Sequence, residues 1–80
     1  MSAVPIAVPQ LGVIEVVVVV EWLSVDGDQV DAGQPIVVIE SEKAETEIEA
    51  PVAGRLEIHV EADPDAEVPV ATVLGQIVPV

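Results

Sequence analysis

The sequence predicts an all-β domain, a flattened barrel or sandwich made of two similar halves. Three observations carry that expectation. Hydrophobic residues fill 51% of the 80 positions and are dominated by valine, with one tryptophan and no phenylalanine or tyrosine. Such β-branched side chains suit a pleated, half-buried surface. Short segments of alternating polarity recur between turn residues, and no long stretch has helical period. The chain also repeats itself. Pro9-x-x-Gly12-x-x-Glu15-Val16 matches Pro51-x-x-Gly54-x-x-Glu57-Ile58. Further on, Val30, Ile36 and Ile39 match Val68, Leu74 and Ile77 in a shorter register. The single domain, residues 1–80, thus divides into half-repeats at 4–41 and 44–79. Two like units packed face to face would be related by a pseudo-twofold axis. The link between them would then lie opposite the chain ends.

Each element follows from local chemistry. Residues 4–8 form a short strand, with Pro5 marking a sheet edge. Pro9-Gln10-Leu11-Gly12 is a turn. Residues 15–23 read as a longer strand. Its even positions (Val16, Val18, Val20, Trp22) form the apolar face, and Glu15 and Glu21 mark the odd face as the wetter one. Trp22 is expected in the core, where its indole N–H needs an acceptor. Asp26-Gly27-Asp28 and Ala32-Gly33-Gln34-Pro35 are turns, and residues 36–40 the next strand. Past Lys43, Ala44, Thr46, Ile48 and Ala50 share one face, and Glu45, Glu47 and Glu49 the other. Pro51 to Gly54 turns the chain. Leu56, Ile58 and Val60 then face in, and Glu57, His59 and Glu61 face out. Asp63-Pro64-Asp65 reads as a third acidic turn and residues 73–78 as the last strand.

Charge and composition narrow the function. Fifteen acidic residues stand against Lys43 and Arg55, for a formal net charge of -13. That balance repels nucleic acid and anionic membranes, so neither is an expected partner. The same acidity fits a high-salt cytoplasm or a simplified, engineered sequence. Without cysteine there is no disulfide and no thiol chemistry. Met1 to Val8 lacks the features of a signal peptide, and the apolar run at 16–20 is far too short to span a membrane. A monomeric cytoplasmic domain is expected. His59 has no second histidine or cysteine to share a metal with. The aspartates at 26, 28 and 31, and the acids at 63, 65 and 67, lack EF-hand spacing. Arg55 is expected to pair with a glutamate. No nucleophile–base constellation or phosphate loop is present, so the domain is not expected to be an enzyme.

Lys43 is the one lysine, placed at mid-chain among Glu40, Glu42, Glu45 and Glu47. The strands before and after it put it at or beside a hairpin tip. It could be an ordinary solvated lysine. A Schiff-base amine would need a depressed pKa, which neighbouring carboxylates oppose. The third reading is an attachment point, acylated by a separate enzyme with loss of the lysine charge.

The residues resemble the lipoyl (biotinyl/lipoyl attachment) domains of 2-oxo acid dehydrogenase complexes over nearly the whole chain. Glu40-Ser41-Glu42-Lys43-Ala44 is similar to that family's acidic-Lys-Ala turn. Pro9-Gln10-Leu11-Gly12, Glu21-Trp22-Leu23, Gly27-Asp28-Gln29-Val30, Gly33-Gln34-Pro35-Ile36 and Glu49-Ala50-Pro51-Val52-Ala53-Gly54 look like its flanking segments, in the right order. The resemblance implies two four-stranded sheets and lipoic acid in amide linkage to Lys43. It implies that Glu40, Glu42 and Ala44 are read by a lipoate-attaching enzyme. The loop comprising Gly12, Val13, Ile14, Glu15, Val16 and Val17 would serve partner recognition. The implied partners are a thiamine-diphosphate-dependent 2-oxo acid decarboxylase that reductively acylates the dithiolane, an acyltransferase domain that takes the acyl group to coenzyme A, and a flavin-dependent dihydrolipoyl dehydrogenase. The parent chain would be a dihydrolipoyllysine-residue acyltransferase, in the cytoplasm or, in a eukaryote, the mitochondrial matrix. Biotin is the alternative cofactor, but biotinyl domains flank their lysine with methionines, whereas Glu42 and Ala44 stand here. An unmodified β-sandwich interaction module is the reading from a different class. The chain departs from the family pattern in having Glu42 where aspartate is common, a loop after Gly12 one residue short, and Val17 where glycine is frequent.

Overall fold

Eight strands and no helix are found among the described residues of the computed structural model, which are 2–10 and 12–79. Leu11, in the expected Pro9–Gly12 turn, lies outside them. The strands are β1 (Val4–Ala7), β2 (Val16–Trp22), β3 (Gln29–Val30), β4 (Pro35–Glu40), β5 (Glu45–Glu49), β6 (Gly54–Ile58), β7 (Asp63–Pro69) and β8 (Val73–Val78). They pair antiparallel in two four-stranded sheets, ordered β1-β8-β6-β3 and β5-β4-β2-β7. Shifting each strand by four places converts one order into the other. Each sheet therefore mixes strands of both halves, and a pseudo-twofold axis exchanges the sheets. That axis swaps the β4–β5 turn with the two chain ends, which β1 and β8 hold together through Val4 opposite Ile77. Turn and termini lie at opposite ends of the sandwich. Pro5 is in an edge strand, where its missing N–H breaks no ladder.

Strand irregularities obey the same symmetry. Ile36 is the extra residue of β4 against β5, between the pairs Pro35–Glu49 and Val37–Ile48. Leu74 is the extra residue of β8 against β1, between Ile6–Gly75 and Ala7–Val73. Such a bulge turns successive side chains toward the same face, and Ile36, Val37 and Leu74 are all fully buried. The match of Ile36 with Leu74 is thus structural. The match of Gly12 with Gly54 is not. Gly54 lies opposite Val30, and Val17 opposite Val68, so Gly54 corresponds to Val17. Pro-x-x-Gly marks any tight connection before a strand, and the connection before β2 is longer than the one before β6.

The apolar face of β2 is the reverse of that expected. Val17 and Val19 are 2% exposed, whereas Val16 and Val20 are 40% and 38% exposed. Val20 is a bulge, because Val19 pairs with Ile39 and Glu21 with Val38. Five successive valines carry no alternation of their own. The glutamates used to phase them lie outside the strand (Glu15) and beyond the bulge (Glu21), where the phase has changed. The bulge turns Trp22 inward, and its Nε1 donates to the Val60 carbonyl at 2.9 Å. The core it joins is centred on Val30, Ile36, Leu56, Leu74 and Ile77, each 0% exposed.

The expected acidic turn at 63–65 lies inside β7 instead. Val18 pairs with Glu67 and Val19 with Asp63, so residues 64–66 leave the ladder while the strand continues. Asp63 Oδ1 accepts from the Asp65 N–H at 2.9 Å, a local turn-like bond. Asp26 and Asp28 do serve as turn residues. Asp26 Oδ1 accepts from Ile58 N at 2.7 Å and Asp28 Oδ2 from Val25 N at 3.1 Å. Arg55 pairs with Glu57 at 3.0 Å, and Gln76 Nε2 donates to Glu57 Oε1 at 2.6 Å. The Gln76 bond first, and the Arg55 charge after it, hold the Glu57 carboxyl below its ordinary value despite partial burial.

Candidate functional site

Strands β4 and β5 form a hairpin in which Glu40 faces Glu45, and Glu42 and Lys43 are the central residues of its turn. Two-residue hairpin turns usually need positive φ. Among described non-glycine residues only Ala71 has it, so this turn closes differently. Ser41 N donates to the Ala44 carbonyl at 2.9 Å. The Ser41 hydroxyl accepts from Lys43 N and Ala44 N, both at 3.3 Å, and donates to the Ala44 carbonyl at 3.3 Å. One donor and two acceptor positions are the full capacity of a hydroxyl, and here it replaces a main-chain carbonyl in closing the turn.

The turn leaves Glu40, Glu42, Lys43, Ala44 and Glu45 exposed. Among the described residues Lys43 has no carboxylate within the 4.0 Å of an ion pair. Its amine stands clear at one end of the molecule. The expected recognition residues Glu40, Glu42 and Ala44 are brought together around it.

Beside the turn is an open depression of about 390 Å³, lined by residues 13–18, residues 40–42 and Glu67. The β1–β2 connection and the lysine turn therefore form one surface. Gly12 is not among the lining residues. Val16 and Val17 belong to β2, not to a loop, and Val17 points into the core, so its side chain offers nothing to a partner. Two residues were missed by the sequence reading. Ser41 did have a signal, since a serine two and three residues before turn N–H groups is a standard hydroxyl-turn arrangement. Glu67 had none, because its place depends on β7 lying beside β2.

A family model described as "Biotin-requiring enzyme", Biotin_lipoyl, matches residues 4–77. The chain belongs to the biotinyl/lipoyl attachment family. This lipoyl-type domain is 41% identical over 77 residues, 95% of its length, to the dihydrolipoyllysine-residue acetyltransferase component of the pyruvate dehydrogenase complex of Mycobacterium bovis, and equally to that of Mycobacterium tuberculosis. It is 32% identical over 77 residues to the corresponding component of Corynebacterium glutamicum. The lipoyl-type domain spans 14% of the length of the mycobacterial relatives and 11% of the corynebacterial one.

Ser41→Ala in this lipoyl-type domain is expected to leave the fold intact and loosen the turn. Losing a partly solvated hydroxyl network costs about 1 kcal/mol. Amide hydrogen exchange at residues 43 and 44 should quicken severalfold while core amides barely change. Unchanged exchange there would mean that the hydroxyl does not hold the turn.

Proposed function

We propose that the domain is a lipoyl carrier, with lipoic acid amide-linked to Lys43, serving a 2-oxo acid dehydrogenase complex. The observation that carries this reading is the combination of one lysine on a projecting turn with relatives named as dihydrolipoyllysine-residue acetyltransferases. The turn fits such a group. Lys43 supplies an exposed primary amine, and no described side chain pairs with it or covers it. When bound, the lipoyl group supplies a disulfide that takes up and releases acyl groups and electrons. The chain's own residues do the positioning. Ser41 fixes the turn so that the lysine backbone is presented in one geometry to an attaching enzyme. Glu40, Glu42 and Ala44 are what that enzyme meets on either side. The rigid sandwich keeps the chain ends at the far pole, so tethering through the termini leaves the lysine pointing outward. Tethering raises the local concentration of the carried group at successive active sites. Those sites would be the thiamine-diphosphate-dependent decarboxylase, the acyltransferase and the flavin-dependent dehydrogenase, and the parent chain would be the acyltransferase.

Intact mass after co-expression with a lipoate ligase and lipoic acid tests the proposal. Wild type should gain one lipoyl mass, and Lys43→Arg none. Equal gain by both proteins, or none by wild type, refutes the attachment. A parallel expression with biotin and a biotin ligase should leave the mass unchanged. A biotinyl gain on wild type would assign the rival cofactor.

A further inference from the structure

The turn before β3 holds the chain's one Asp-Gly pair, Asp26-Gly27, in a sequence without asparagine. That dipeptide is able to rearrange unaided. The Gly27 amide nitrogen attacks Cγ of the protonated Asp26 carboxyl, and the new N–C bond closes a five-membered succinimide. The carboxyl OH leaves with the amide proton as one water. Water then adds back at either imide carbonyl. Opening at Cγ restores aspartate, whereas opening at the α-carbonyl routes the main chain through Cβ and Cγ as isoaspartate. Mass is unchanged overall, and water is the sole co-reactant. Glycine favours the reaction because it has no Cβ to crowd the ring and adopts unusual dihedrals freely. Asp28, Asp31 and Asp65 precede residues with a Cβ, and Asp63 precedes proline, which has no N–H to react.

The fold engages both reacting groups. Gly27 N donates to the Leu56 carbonyl at 2.7 Å, and Asp26 Oδ1 accepts from Ile58 N at 2.7 Å. Carboxyl and amide are thus each bonded to the main chain of β6, at positions two residues apart. The turn itself is closed by Asp28 N donating to the Val25 carbonyl and Val25 N donating to Asp28 Oδ2, both at 3.1 Å. Leu56 N adds a bond to the Asp28 carbonyl at 2.8 Å. Ring closure needs the amide proton removed and the carboxyl turned onto its own backbone, so both bonds to β6 must break first. Steric cover is not the safeguard. Asp26, Gly27 and Asp28 are exposed, and a Cβ on Gly27 would meet nothing within 4 Å. Water reaches the pair, and hydrogen bonding restrains it.

We propose that Asp26-Gly27 is a latent isomerisation site, held unreactive by its two bonds to β6 and released when the 25–28 turn detaches. The product does not fit the same place. Isoaspartate adds one atom to the main chain and moves the carboxylate onto the α-carbon, so the Ile58 and Leu56 bonds cannot both re-form. A chain that has opened and reacted therefore refolds without this clasp. Local opening is ordinarily reversible, and here the chemistry makes it permanent. The clasp is independent of Lys43 and of the function proposed above.

The test follows isoaspartate at neutral pH and constant temperature in three samples: the native domain, the domain in guanidinium chloride, and residues 24–29 as a capped peptide in the same denaturant. Digestion with the protease Asp-N, which does not cut before isoaspartate, measures the extent, and electron-transfer fragmentation places it in the chain. The unfolded domain should react at the rate of the peptide, chiefly at residue 26. The native domain should react about tenfold or more slowly, because only its opened fraction is competent. Amide hydrogen exchange at Gly27 in the native domain should be slowed by a similar factor, since the same opening frees that N–H. Isomerised domain, returned to native conditions, should unfold at a lower guanidinium concentration than wild type by Trp22 fluorescence. Equal rates in native and unfolded domain, or free exchange at Gly27 beside slow isomerisation, would overturn the proposal. So would equal isomerisation at the other aspartates, or a wild-type midpoint for the isomerised domain.

Discussion

Gly75→Ala should cost about 3 kcal/mol or more, a large part of the roughly 4–12 kcal/mol available to a chain of this size. Gly75 sits in β8 between β1 and β6, opposite Ile6 on one side and Ile58 on the other. A Cβ there would overlap the Glu57 carbonyl oxygen and lie 3.3 Å from the Glu57 carbonyl carbon and 3.4 Å from Ile58 Cα. All three are backbone atoms, so no rotamer change makes room, and β6 and β8 must separate. Neither strand can move alone, since Leu56 and Ile77 face each other across the same pair and both are fully buried. Urea unfolding followed by Trp22 fluorescence measures the loss, and a wild-type midpoint would contradict the close approach. Gly33→Ala is the control. A Cβ there meets nothing within 4 Å, and only its φ of +84° opposes the change. Its cost should be nearer 1 kcal/mol.

Leu56→Ala should destabilise by about 2–5 kcal/mol, through lost burial and the cavity left behind. Leu56 is 0% exposed and faces Ile77, also fully buried, across the β6–β8 ladder. The site also joins the two halves, because Leu56 N and O bond Asp28 O and Gly27 N in the connection before β3. Those main-chain bonds survive the substitution, so the loss measures packing alone. Val13→Ala, at a position 83% exposed, should change stability by less than about 0.5 kcal/mol. If both variants unfold at the same urea concentration, the core is not where the structure places it.

The hairpin was legible because residues 44–50 alternate without interruption, which fixes both the face and the turn before it. The all-β class was legible for the same reason, as was the pairing of Ile36 with Leu74 as equivalent core positions. The phase of β2 was not. Residues 16–20 are all valine, and a bulge at Val20 makes Glu21 report a different phase from the residues before it. Bulges are set by how neighbouring strands fit, and a homogeneous run bears no mark of them. Likewise Asp63-Pro64-Asp65 reads as a turn, although Asp63 stays in the ladder opposite Val19 and only residues 64–66 leave it. At the site, Lys43, Glu40, Glu42 and Ala44 were readable from one contiguous motif. Val17 departs from the family pattern, yet its side chain serves the core.

The sequence by itself determined an acidic, valine-rich β domain with one lysine on a turn at its midpoint. Local chemistry suffices there, because alternation and turn residues act within a few positions of one another. Only the tertiary structure decided that Ser41 closes that turn, that Gly54 corresponds to Val17, and that Glu67 faces Glu40 across Val18. Each of these depends on strand order and register between distant segments. Register is fixed when the two halves pack together, so it is a property of the sandwich and not of any one strand.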